Sequence, residues 1–160
     1  MDQIYVGKVV STHGIKGEIR ILSDFPYKDR VFVVGNTLII DGNRYVIRSY
    51  RIHKNYDMVT LNQYRNINDV LFLMKKSVYV ERKSLVLADD EILDEDLITY
   101  QVLTSYGKRG IIKEIFFAGP HNKVLRVLFD REVLIPFHSP MIKEIRKDEK
   151  EILVDLYEGL

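Results

Sequence analysis

The feature that most restricts this chain is a one-by-one alternation of polar and apolar residues in short bursts, each ended by a turn signal. "EIRIL", Glu18 to Leu22, is the clearest case, and a period of two buries one face of a strand while the other meets solvent. The opening strand covers Ile4 to Val10, Val33-Val34 and Leu38 to Ile40 follow, and "DGN" at Asp41, Gly42 and Asn43 turns the chain into "RYVIRSYRI". Such a turn favours a hairpin, because glycine accepts the positive φ that a tight reversal requires. "KNYD", Lys54 to Asp57, then leads into "MVTLNQY", and "SVYVE" ends the series. Six strands this short have edges to hide, and closing into a barrel removes them. The exception is "NINDVLFLMKKSVYV", where Asn66 or Asn68 caps a short helix whose Val70, Leu71 and Met74 share a face.

After Ser84 the character changes. Residues 85–96 contain the acid-rich run "DDEILDED", Asp89 to Asp96, and no turn dipeptide, which reads as an acidic linker. From residue 97 the strand pattern returns in "QVLTS", "GIIKEIFFAG", "KVLRVLF", "EVLIPF" and a final pair around "RKDEK" that ends in "EILVDL". The expectation is a mainly β chain of two small β-barrels, residues 1–84 and 97–160, joined by a short linker at 85–96. No repeated motif relates the two halves. With 46% hydrophobic and 29% charged residues, the 160-residue chain has the make-up of a folded globular protein. The lack of cysteine rules out disulfides, thiolate nucleophiles and zinc sites of the cysteine type. The start "MDQIYVGKVV" has no basic n-region, and apolar runs such as "VLFLM" fall far short of the roughly 18 residues of a membrane span. A cytoplasmic protein away from the membrane is expected.

Catalytic and ligand-binding patterns find little support. "VGKVVSTHGIKGEIRIL" holds three glycines, but phosphate-cradling loops lead into a helix, and the alternation after Gly17 is that of a strand. Neither the Walker spacing nor the dinucleotide fingerprint is present. The acid run has no glycine where a calcium loop needs one. His13, His53, His121 and His138 are scattered, with no H-E-x-x-H pair among them. Ser11 near His13 and Ser139 beside His138 are neighbours in sequence, outside any G-x-S-x-G elbow. No catalytic, cofactor or metal set is expected.

Charge is unevenly spread: 14 lysines and arginines face 8 acids through Ser84, and 10 face 15 beyond it. A basic half suits a polyanion and an acidic half a basic protein. Within the basic half, "RYVIRSYRIHKNY" interleaves Arg44, Arg48, Arg51 and Lys54 with Tyr45, Tyr50 and Tyr56. Alternation puts Arg44, Val46, Arg48 and Tyr50 on one face, with the phase lost toward the hairpin. Such a strand suits base stacking and phosphate contact, and equally the half-buried tyrosines of an ordinary sheet.

Taken together, "YVGKVVSTHGIKGEIRI", "DEDLITYQV" and "LIPF" followed by "ILVDLYEGL" resemble the RimM family of ribosome maturation factors over essentially the whole chain. By position, Gly7, His13, Gly14, Gly17, Glu18 and Arg20 match the opening signature and Asp96 and Leu97 the interdomain phrase. Gly119, Asn122, Val124 and Leu125 match the turn and strand of a PRC barrel, and Pro136, Asp155, Gly159 and Leu160 the closing motif. The resemblance implies a RimM N-terminal β-barrel at 1–84 and a PRC-like β-barrel at 97–160. It also implies a cytoplasmic, monomeric, non-enzymatic factor that assists assembly of the small ribosomal subunit head and rRNA processing by binding ribosomal protein nineteen of the small subunit. On this reading Ile92, Leu93, Asp94, Glu95 and Asp96 face the ribosomal protein, and Lys8, Lys16, Arg20, Arg48 and Arg51 face rRNA phosphates. The chain departs from the family where two tyrosines and a tryptophan usually precede the Asp-Leu: Ile92, Leu93 and Asp94 stand there. Pro120 and His121 are inserted in the PRC turn. Readings from other classes are a protein-binding β-barrel adaptor and a flavin-type barrel enzyme.

Overall fold

Alternating strands need partners, and the computed structural model, which describes residues 2–156, shows how they find them. The chain divides into two units, Met1–Val86 and Leu87–Leu160. Gly159 and Leu160 of the closing motif lie outside the described residues.

In the first unit β1 (Gln3–His13), β2 (Glu18–Leu22), β3 (Thr37–Ile40), β4 (Asn43–His53), β5 (Tyr56–Leu61) and β6 (Ser77–Glu81) form a closed barrel in the order β1-β2-β5-β4-β3-β6. The long β1 reaches both neighbours, pairing Val9 with Ile21 of β2 and Ile4 with Val80 of β6. Its register shifts between Tyr5 and Gly7 and again between Val9 and Ser11, so the strand bends around the barrel. Gly7 sits at the first bend, where a Cβ would stand 2.8 Å from the Leu22 carbonyl oxygen; no other residue fits there without moving backbone. Ile19, Ile21, Leu38, Ile40, Met58 and Leu61 fill the interior.

Two local expectations are corrected. Val33 and Val34 are exposed and lie outside any strand. Gly35 at φ +93 takes the chain off the extended path, and the Asn36 side-chain amide donates to the Val31 carbonyl at 2.7 Å, so β3 starts only at Thr37. The helix α1 is short, Ile67–Val70, capped by Asn66 accepting from the Asn68 amide at 2.9 Å, and it tightens at once into a 3-10 turn at Leu71–Leu73. That change of period turns Leu73 inward beside Val70 and leaves Leu71 half exposed.

The second unit contains α2 (Asp94–Leu97), β7 (Gln101–Thr104), β8 (Arg109–Phe117), β9 (Lys123–Leu128), β10 (Glu132–Pro136), β11 (Ile142–Arg146) and β12 (Glu151–Val154). The strands form a six-stranded sheet in the order β10-β9-β8-β7-β12-β11. All ladders are antiparallel except β7 with β12, where Val102 pairs with Ile152 in parallel. Val102, Leu125, Val127, Ile135 and Ile152 are fully or almost fully buried at the centre of its core, and Ile92 and Leu97 belong to the same cluster. From Ile92 onward the acidic run is thus packed into this unit.

Candidate functional site

The turn from β1 to β2 is built by Gly14 and Gly17, at φ +70 and +86. It is laid against the segment before α1: the Ile67 amide donates to the Ile15 carbonyl at 2.9 Å. A Cβ on Gly17 would stand 3.2 Å from the Asn66 nitrogen. The strand that follows excludes a nucleotide cradle, and the turn instead carries Lys16 to the edge of a depression of about 460 Å³ lined by Lys16, Arg48, Ser49, Thr60 and Arg65. A second hollow, with His13, Ile15 and Glu18, shares Lys16 and Thr60 with it.

The two arginines of the first hollow are held by backbone carbonyls. Arg48 Nη2 donates to the Tyr64 carbonyl at 3.4 Å, and Arg65 Nη1 donates to the Asn62 carbonyl at 2.5 Å and that of Tyr64 at 3.3 Å. The Nε of Arg48 is buried with no hydrogen-bond partner. The hydroxyls of Ser49 and Thr60 meet at 2.5 Å. No carboxylate lines this depression, so its charge stays available to an anion.

Of the cations expected from sequence, Lys16 and Arg48 therefore meet, and Arg65 joins them. Sequence reasoning misses Arg65 because it follows β5 in an irregular segment where alternation says nothing about direction. The other three lie apart. Arg20 is half-buried: Nη1 donates to Ser11 Oγ at 3.2 Å, Nη2 to His13 Nδ1 at 2.6 Å, and its guanidinium lies 5.9 Å from the Tyr56 ring centre. Arg51 gives both Nε and Nη2 to the Glu18 carboxylate, at 2.9 and 2.7 Å. This fork holds Glu18 below its usual pKa. Lys8 is exposed on β1, paired with Leu22 and Ser77, and lines neither hollow. The face alternation in β4 holds for buried Tyr45 and Ile47 and breaks at a register shift between Ile47 and Ser49, short of the hairpin. His13 and His53, far apart in sequence, come to 5.5 Å between ring centres. Desolvation, and then Arg51, push the His53 pKa down.

In the second unit the structure corrects the expected protein-binding set. Ile92 and Leu93 are only 4% and 5% exposed, so they are core and not contact residues: apolar side chains at the entry to α2 gain more by burial than by facing water. Asp94 stands outside with its carboxylate bound to the buried Lys123 at 2.6 Å. Glu95 is exposed, and Asp96 accepts the Thr99 hydroxyl on its carbonyl at 2.6 Å. Gly119 and Asn122 close the turn before β9, the Ala118 amide donating to the Asn122 carbonyl at 2.9 Å, and Pro136 ends β10 opposite Val124.

Comparison with known proteins supplies the deciding observation. A model of the RimM N-terminal domain matches residues 4–85, and one of the PRC-barrel domain matches 89–160. The chain belongs to the RimM family. It is 34% identical to the ribosome maturation factor RimM of Staphylococcus aureus strain JH9, and to that of strain Newman, over 99% of this chain and 98% of theirs. Solved structures similar to it are a 16S ribosomal RNA processing protein RimM from Pseudomonas aeruginosa and the N-terminal domain of RimM from Thermus thermophilus. The first is 23% identical with a TM-score of 0.47, covering 97% of this chain and 98% of that one. The second is 18% identical with a TM-score of 0.47, covering 54% and 98%. RimM proteins are ribosome maturation factors and a non-enzymatic family, which removes the flavin-enzyme reading. Membership implies a role in ribosome and rRNA processing and association with the small ribosomal subunit. Among the described residues no helix is long and apolar enough to cross a membrane.

Proposed function

We propose that this RimM-family chain is a cytoplasmic, monomeric assembly factor for the head of the small ribosomal subunit, with its labour divided between two modules. The division is the sequence-level one: a RimM barrel to residue 84, an acidic segment, and a PRC-like unit from residue 97. The observation that carries the reading is the carboxylate-free depression of Lys16, Arg48 and Arg65 on the barrel of a family member, which suits rRNA phosphates. Lys8, Arg20 and Arg51 belong to the same barrel but line no part of that depression. The acidic second unit, through Asp94, Glu95 and Asp96, suits a basic partner such as ribosomal protein nineteen of the small subunit. The protein acts as a chaperone: it binds an immature arrangement of the head better than the mature one, shifts the population, and leaves once that difference is gone. No bond is made or broken.

Sedimentation of the purified protein with free small subunits, free large subunits and joined ribosomes tests this. Co-migration with free small subunits alone is expected. Failure to bind any of them overturns the reading and returns the chain to the adaptor class.

A further inference from the structure

Tyr64 touches both the cations of the basic depression and a group of rings. On one side Arg48 and Arg65 both donate to the Tyr64 carbonyl. On the other the Tyr64 ring lies 5.9 Å from that of Phe72, edge to face at 83°, and 5.9 Å from that of Tyr45. Tyr45 is buried, Tyr64 half-buried and Phe72 49% exposed. Phe72 belongs to the 3-10 turn whose tightened period places Leu73 in the core, and its half-exposed ring packs against that of Tyr64. An exposed phenylalanine costs hydrophobic free energy, and here Tyr64 links it to a depression that holds three cations and no acid.

Those two features match the two halves of a nucleotide. A phosphate fits Lys16, Arg48 and Arg65, with whichever of the Ser49 and Thr60 hydroxyls accepts from the other left as a further donor. A base fits the open face of Phe72, provided it is not already stacked in a helix. We infer that the barrel reads unpaired RNA at this place, seating one backbone phosphate in the depression and stacking the adjoining base on Phe72. A duplex satisfies only half of the site: its phosphates reach the cations, while its bases stay stacked on each other. The inference rests on the rRNA reading above and narrows it to an unpaired strand.

The test uses the full chain and a labelled twelve-nucleotide RNA, offered as a single strand and as a duplex of the same sequence, with affinity measured across a salt series. The single strand is expected to bind at least about five-fold tighter, the low end of what stacking a base on an aromatic ring contributes. Phe72→Leu keeps an apolar side chain at an exposed position. It is expected to remove that preference while leaving the salt slope unchanged. Lys16→Gln with Arg65→Gln is expected to lower the slope for single strands by about 1.4, or about 0.7 for each phosphate charge no longer neutralised. Equal binding of strand and duplex, or an unaltered preference in Phe72→Leu, overturns this inference alone. Absence of binding to either RNA overturns both it and the rRNA reading of the barrel.

Discussion

Lys123 donates from Nζ to Asp94 Oδ1 at 2.6 Å, tying the start of α2 to the first residue of β9. The lysine is 8% exposed and its ammonium lies 5.2 Å from the Phe137 ring centre and 5.9 Å from that of Phe117. A cation in such a place depends on its counter-ion, and the two partners are not equivalent. Asp94→Ala leaves a buried charge unpaired and is expected to cost about 1–3 kcal/mol, discounted because the carboxylate is half exposed. Lys123→Met removes the charge and keeps the stem, and is expected to cost less than about 1 kcal/mol. Urea unfolding of both variants checks the order; a reversed order means the ion pair does not anchor α2.

Ile92 is expected to matter to folding and not to partner contact. Ile92→Ala opens a cavity in the second core and is expected to cost about 2–4 kcal/mol, whereas Ile92→Val costs about 1 kcal/mol and leaves binding to the small subunit unchanged. Subunit affinity measured for Ile92→Val, alongside its urea midpoint, decides the point. A loss of affinity without loss of stability would return the residue to the interface.

The fork between Arg51 and Glu18 predicts that Arg51 is a muted phosphate contact. Arg48→Ala is expected to lower the salt slope of RNA binding by about 0.7, and Arg51→Ala by clearly less. Glu18→Gln frees Arg51 and is expected to strengthen RNA binding and steepen the slope. Because the fold holds the Glu18 carboxyl below its ordinary 4.5, the stabilisation from that ionised group is present above this pH and is lost as pH falls through the lowered value. Glu18→Gln is expected to flatten acid unfolding there. Unchanged slopes and an unchanged acid limb would show that the fork has no such effect.

His53 sets a second pH window. Its protonated form is disfavoured by desolvation and by Arg51, His13, Lys54 and Arg20, so its pKa in the fold lies below the ordinary 6.5. The unfolded chain therefore takes up the proton first, and stability falls as pH drops below about 6.5. Melting temperatures compared at about pH 7.5 and about pH 5.5 are expected to differ less in His53→Gln than in the native chain. An equal difference would place the sensitivity elsewhere.

Among the described residues the strands fall on the segments the sequence marks, some by period-two burial, as in Glu18–Leu22, Ser77–Glu81 and Glu151–Val154, others, such as Thr37–Ile40 and Tyr56–Leu61, as short, largely apolar runs buried on both faces. The features that alternation misjudges depend on other residues. Val33 and Val34 have strand-forming side chains, but Gly35 and the Asn36 amide decide their path. Ile92 and Leu93 sit in an acid run that reads as a linker, and only the folded structure shows both buried, Ile92 within the second core. The candidate site is half legible. Lys16 and Arg48 stand out by charge alone, while Arg65 and Phe72 acquire their meaning from the packing of the segment before α1 against the glycine turn.

The parallel pairing of β7 with β12 also governs how the second unit comes into being. β7 to β10 form a meander whose contacts are local, and β11 with β12 form a hairpin of their own. Among the described residues the strand ladder joins that hairpin to the meander through β7 alone, by a pairing that reaches from Gln101 to Glu151. So distant a seam closes late and slowly. It is also the natural line along which the unit opens: amides of β11 and β12 should exchange together, as one cooperative block, ahead of those of β8 and β9.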